Sequence, residues 1–233
     1  MKPSLLVSLV FLFGLTGTAH AQLISSAPPD SSGVFVSAEG GAALYGRFFE
    51  VRTSESGEQE LRGATAPTFG LGVGYVILNR TTVRLVASYS PTSLELVDDS
   101  GSGATADEFD DLADLDLFTV TAEVRRAFRL SDAVQPYGLA GITLGVWSLD
   151  SEEGEAAVFL ADDDTLLRLG ALTGAGVNVV LTPRFSVFAE ASIVALGNPF
   201  GGEDGFRYAA AEPFDEPATV RATRLQGGLQ VRF

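Results

Sequence analysis

The last ten residues of the chain alternate without a break. Leu225, Gly227, Leu229, Val231 and Phe233 fall on one face of an extended strand, and Arg224, Gln226, Gly228, Gln230 and Arg232 fall on the other, because successive strand side chains point to opposite sides. A sheet in water would bury the first face and wet the second. A closed sheet in hydrocarbon does the reverse, with its apolar face outward and its polar face around a lumen. Few other choices constrain the fold as much.

Seven further segments carry the same period of two. The eight lie near 33–46, 66–78, 81–90, 116–130, 134–148, 166–181, 184–196 and 218–233. Most exceed the ~5–6 residues of an average globular strand and reach the ~9–11 that a tilted strand needs to cross a bilayer. Glycine recurs inside them, as in Gly70-Leu71-Gly72-Val73-Gly74; this weakens a soluble sheet but relieves crowding on the concave side of a small barrel. The connections alternate in length. Those around 78–81, 130–133 and 182–183 are tight turns by composition, whereas 47–65, 91–115, 149–165 and 197–217 are long and polar. Short links then fall at one end and long ones at the other, as in outer-membrane barrels. The expected fold is all-β: an eight-stranded antiparallel up-and-down transmembrane β-barrel. A short helix over Asp107–Asp116 inside one long link is compatible with Phe109, Leu112 and Leu115.

Residues 1–21 read as a secretory signal, with Lys2, an apolar stretch from Leu5 to Leu15, and Ala19-His20-Ala21 as the small-residue cleavage pattern. Residues 22–32 read as a periplasmic lead-in and 33–233 as the barrel domain. Cleavage removes Lys2, leaving 14 of the 15 basic residues, all Arg, against 30 acidic ones, a formal charge of −16. Nucleic acid, which needs a basic face, is excluded as a partner. There is no cysteine to form a disulfide.

With the apolar face in lipid, the lumen receives Glu39, Arg84, Glu123, Arg125, Arg168, Glu190 and Arg224, together with Asn178 and Gln226. Eight strands leave an interior just wide enough for side chains to fill, so these charges must pair. The expectation is a charged plug that closes the interior; the alternative is a narrow channel for small solutes or ions through the same groups. The reverse assignment would set each Arg in lipid at ~2–4 kcal/mol near the midplane. Aromatics are expected in two lipid-facing girdles: Phe128, Tyr137, Phe185 and Phe233 near the turn end, and Phe69, Tyr89, Phe118 and Trp147 near the loop end. Arg126 and Arg221 fall on the outer face near opposite ends and are expected to snorkel.

The long links hold most of the acid. Residues 91–116 carry nine acidic residues and no basic one, and Asp162-Asp163-Asp164 caps another cluster. Hard oxygen ligands of this kind suit divalent cations, but the spacing of a defined calcium loop is absent. Solvated acidic loops are the expectation, with no metal or cofactor. Catalysis has little to draw on, since the mature chain lacks His and Cys and with them the triads, Cys–His pairs and His-liganded zinc sites. A non-enzymatic protein is expected.

The strand count, the alternating link lengths and the terminal Val231-Arg232-Phe233 resemble the small outer-membrane barrels of the OmpA N-terminal and OmpX type, over roughly residues 33–233. The resemblance implies residence in the outer membrane of a diderm bacterium, contact with outer-membrane lipid and lipopolysaccharide, and a monomer. It also implies that Leu225, Leu229, Val231 and Phe233 serve as the signal read by the barrel-assembly machinery. The chain shows no peptidoglycan-binding domain after the barrel, so a cell-wall tether is not expected. The expected role is structural or interactive, displaying acidic loops to an unknown extracellular partner. A periplasmic ligand-binding barrel is a further alternative, and it would require a greasy lumen.

Overall fold

The computed structural model describes residues 33–53, 57–78, 80–98, 113–128, 130–131, 133–150, 159–160, 165–201, 207–208, 213–215 and 217–233. The signal and lead-in segments, Asp162-Asp163-Asp164 and most of the acid of 91–116 lie outside the described residues. In chain order the strands are β1 (Val34–Tyr45), β2 (Arg47–Thr53), β3 (Gly57–Gly63), β4 (Ala66–Leu78), β5 (Thr81–Asp98), β6 (Asp114–Ala127), β7 (Val134–Asp150), β8 (Phe159–Leu160), β9 (Thr165–Val180), β10 (Phe185–Gly197), β11 (Arg207–Tyr208), β12 (Pro213–Asp215) and β13 (Thr219–Arg232).

Eight of these form a closed antiparallel ring in the order β1-β4-β5-β6-β7-β9-β10-β13. The seam is as regular as any other junction: β1 pairs with β13 from Phe35↔Arg232 to Tyr45↔Ala222. At Gly41 the strands are so close that a Cβ would overlap the Leu225 carbonyl and sit 2.7 Å from the Gln226 Cα. Short turns around 79–80, 128–133 and 181–184 lie at one end with Gly33 and Phe233; the other four connections lie at the opposite, loop end. No helix among the described residues is long and apolar enough to cross a membrane. The stretch expected to hold a short helix enters strand at Asp114, and its earlier part lies outside the described residues.

The outer wall is greasy and the inner one is not. Leu71, Val73, Leu85, Ile142, Leu167, Leu169, Ile193, Leu225 and Leu229 are all exposed on the outside, while Glu39, Arg84, Glu123, Arg125, Glu190 and Arg224 are buried within. In water this would strand large aliphatic side chains and bury charge at once, so the surrounding medium must be hydrocarbon.

The long connection over 47–65 departs from the expected polar loop. There β2 and β3 form a hairpin that pairs onto the loop-end extension of β5, from Gln59↔Asp98 to Gly63↔Leu94. Pro213 and Asp215 of β12 pair in turn with β2. Phe48, Phe49 and Leu61 of the hairpin are fully buried. They fold in because the mouth below offers an apolar bed.

One strand presents the face opposite to the one expected. Arg125↔Leu139 and Glu123↔Gly141 are cross-strand partners, and partners in a sheet share a face. Tyr137, Leu139, Thr143 and Trp147 therefore point into the lumen, while Ile142 and Leu144 meet lipid. Tyr137 and Trp147 are not girdle residues. Both faces of β7 are apolar, so alternation alone does not orient it. Its register with β6 does: Gly141, Thr143 and Gly145 share the inner face with bulky Tyr137 and Trp147, and Ile142 and Leu144 meet lipid.

Candidate functional site: two tiers within the lumen

The lower tier, in the half nearer the turns, is ionic. Arg84 extends from β5, where its Nη1 donates to Glu39 Oε2 and its Nε to Glu123 Oε1, both at 2.6 Å. Arg125, two residues beyond Glu123 on β6 and so on the same face, donates through Nε to that same Oε1 and through Nη2 to Glu190 Oε2, again at 2.6 Å. The Tyr137 hydroxyl donates to Glu190 Oε2 at 3.0 Å. One continuous chain, Glu39–Arg84–Glu123–Arg125–Glu190, thus crosses the lumen from β1 to β10. Phe188 and Tyr137 sandwich it, with the Arg125 guanidinium carbon 5.0 Å and 4.8 Å from their ring centres and that of Arg84 5.6 Å from Phe188. Arg suits this place because its planar fork serves two carboxylates and stays charged when desolvated.

Arg224 and Arg168 are set apart from that chain. Arg224 is buried, yet its only side-chain hydrogen bond among the described residues is a long 3.5 Å one from Nη1 to Ser88 Oγ, and its Nε has no partner there. Three Glu and two Arg leave the chain one negative charge, which Arg224 balances at a distance without an ion pair. Arg168 corrects the expectation of a single network. It does point inward, but near the loop end, where Nε and Nη2 donate to the carbonyl oxygens of Asn198 and Gly201 at 3.2 and 3.3 Å. It sits too far along β9 to reach the carboxylates, six positions beyond the Gly174 that pairs with Ser192. Asn178 and Gln226 face inward as expected, each with one side-chain polar atom unpartnered among the described residues.

A belt of hydroxyls separates the tiers. Ser88 Oγ and Thr119 Oγ1 lie 2.7 Å apart, Thr121 donates to Thr143 at 2.9 Å, and the Tyr45 hydroxyl donates to Ser90 at 3.0 Å.

The upper tier is apolar, and polar-lumen reasoning from the sequence did not anticipate it. Leu115, Leu117, Trp147, Val194, Leu196 and Val220 from the barrel wall meet Phe48, Phe49, Leu61 and Phe200 folded down from above. Phe48 lies edge-on to Trp147 and to Phe200, with ring centres 5.8 and 5.5 Å apart, and Phe49 lies edge-on to Phe200 at 5.3 Å. Asn198 pins this lid. Its amide nitrogen donates to the Phe48 and Pro217 carbonyls at 2.7 and 2.9 Å, and its Oδ1 accepts the Phe200 amide at 3.0 Å. A signal for the lid was present in Phe48-Phe49, an apolar pair inside an otherwise polar link.

Below the ionic tier a cavity of about 320 Å³ opens at the turn end, lined among others by Gln135, Asn178, Ser186, Gln230 and Arg232. No group of three or more His, Cys, Asp or Glu with metal-binding geometry occurs among the described residues.

On the outer wall, Phe69, Tyr89 and Phe118 form one cross-strand row toward the loop end. Phe128, Phe185 and Phe233 are exposed toward the turn end. Leu225, Leu229 and Val231 share their outward face with Phe233 along the seam strand.

Comparison with solved structures finds the same architecture. Neisserial surface protein A is similar at 20% identity, with a TM-score of 0.50 over 88% of this chain and all of that one. OprG of Pseudomonas aeruginosa gives 14% identity and a TM-score of 0.54, over 89% of this chain and 99% of that one. The outer membrane protein AlkL gives 12% and 0.52, over 91% and 94%. A comparison with curated protein sequences returns no match. The family model described as outer membrane protein beta-barrel domain matches residues 11–233. With a greasy wall, a closed eight-strand ring and that match over nearly its whole length, the chain belongs to the outer membrane protein beta-barrel domain family.

Proposed function

We propose that this outer-membrane barrel is a closed, non-conducting scaffold that holds acidic segments at the cell surface, and that it is not an enzyme. One observation supports the reading: an ion-paired chain crosses the lumen and an aromatic cluster packs above it, two chemistries that exclude different things. Hydrated ions cannot cross the apolar tier without shedding water, and apolar solutes meet a desolvated charge network below it. The mature sequence, with neither His nor Cys, offers neither an imidazole base nor a thiol nucleophile. A narrow channel would require both tiers to move together.

The test is recording from the purified, folded protein in planar bilayers. Silence at moderate voltage is expected, and a steady large conductance from the monomer would refute the scaffold reading. On this reading Leu225, Leu229, Val231 and Phe233 present the assembly signal, and deleting Phe233 should lower the amount of folded barrel in the outer membrane. Residues 1–21 act as the cleaved signal, so the mature protein should begin at Gln22 by N-terminal sequencing.

A further inference from the structure

In a chain with twice as many acids as bases, an arginine left without a carboxylate asks for a reason. Two arginines with no carboxylate partner among the described residues stand close together at the turn end. Arg80 occupies the β4–β5 turn with φ of 80°, a left-handed conformation uncommon outside glycine. Its carbonyl accepts the Ala127 amide at 2.8 Å, which locks the turn against the end of β6. Arg126 lies directly across the β5–β6 pair from Thr81 and donates through Nη1 to the Thr81 hydroxyl. Both arginines are exposed, and neither makes an ion pair among the described residues.

Their depth matters as much as their company. Leu85 and Val124, a few residues farther along the same outer faces, are exposed to hydrocarbon, and Phe128 stands beside the corner with most of its ring uncovered. The Arg80 turn and the Arg126–Thr81 pair therefore sit where the apolar wall ends, at the level of lipid phosphates. Two guanidinium forks on one rigid corner match the non-bridging oxygens of a phosphate diester, with the Thr81 hydroxyl holding Arg126 in place. Arg184, in the 181–184 turn, lines the turn-end cavity beside Arg232, and Arg221 lies on the outer face at the loop end.

We propose that the corner formed by Arg80, Thr81 and Arg126 binds the phosphate of an anionic phospholipid in the leaflet at the turn end, which is the periplasmic leaflet in barrels of this architecture. Such a contact fixes the depth of the barrel on one side of the bilayer. It is independent of whether the lumen conducts.

The test uses the folded full-length protein in zwitterionic micelles, with arginine Nε–H resonances followed by nuclear magnetic resonance. Dihexanoyl phosphatidylglycerol should move the Arg80 and Arg126 signals saturably, and dihexanoyl phosphatidylcholine should not. Each guanidinium is worth about fivefold in affinity at a membrane surface, so R80Q should weaken the Arg126 response by about that factor. The wild-type response should collapse in 1 M salt, where the screening length falls to about 3 Å. Equal responses to both lipids, shifts spread evenly over Arg184 and Arg221, or inorganic phosphate acting as strongly as phosphatidylglycerol would each overturn the proposal. The lipid and salt comparisons on the wild type decide the matter even where a variant fails to fold.

Discussion

Arg84 and Arg125 donate to the same oxygen atom, Oε1 of Glu123, each at 2.6 Å. Two cations on one anion would repel, and the arrangement holds because each has a second carboxylate of its own, Glu39 for Arg84 and Glu190 for Arg125. Glu123 is thus the centre of the ionic tier.

Glu123→Gln removes the charge both guanidiniums share. Breaking a buried pair from one side costs about 3–5 kcal/mol. The lower end is expected here, since each Arg keeps one partner. Arg168→Met, which removes only bonds to backbone carbonyls, should cost about 1 kcal/mol. Urea unfolding in lipid vesicles, read by the gel-mobility difference between folded and unfolded barrel, will rank the two. Equal costs would show that the carboxylate chain is not a unit.

Trp147 is the only tryptophan and is completely buried against Tyr45 and Phe48. Its emission should be blue-shifted and shielded from both aqueous acrylamide and brominated lipid. Strong quenching by brominated lipid would return it to the girdle and reverse the assigned face of β7.

Asn198 holds the lid to two carbonyls and one amide. Asn198→Ala leaves those groups unpartnered at about 1–3 kcal/mol each if they stay dry, so the lid should open in preference. Proteolysis of whole cells is expected to cut within 47–63 faster than in the wild type while the barrel stays folded. Unchanged cleavage would mean that aromatic packing alone holds the lid.

The tiers should act independently. Phe48→Ala combined with Phe200→Ala empties much of the upper tier, and Glu123→Ala loosens the lower one. Measurable conductance is expected only when all three changes are combined. A channel opened by the lid changes alone would mean that the ionic chain does not seal.

The sequence made the ring legible because the evidence for it is repetitive. Eight alternating stretches and unequal links left little freedom, and Glu39, Arg84, Glu123, Arg125 and Glu190 followed once the apolar side of each strand was given to lipid. β7 escaped that logic because greasy Ile142 and Leu144 alternate with equally apolar Leu139 and Trp147. Polarity could not choose between them, nor could bulk, since large Tyr137 and Trp147 lie inside; the register with β6 decides it. The upper tier escaped for a different reason. Its covering residues, Phe48, Phe49 and Phe200, lie outside the barrel strands and reach the mouth through contacts between distant segments that no local pattern encodes.

The seam between β1 and β13 joins nearly the first and the last described residues, Phe35 to Arg232. Until β13 pairs with β1, the sheet has two open edges and its inward charges lie uncovered. Such an intermediate is ready to pair with any neighbouring strand, and its last contacts are those most distant in sequence, which close slowly. Closing that one junction is therefore what removes both open edges at once.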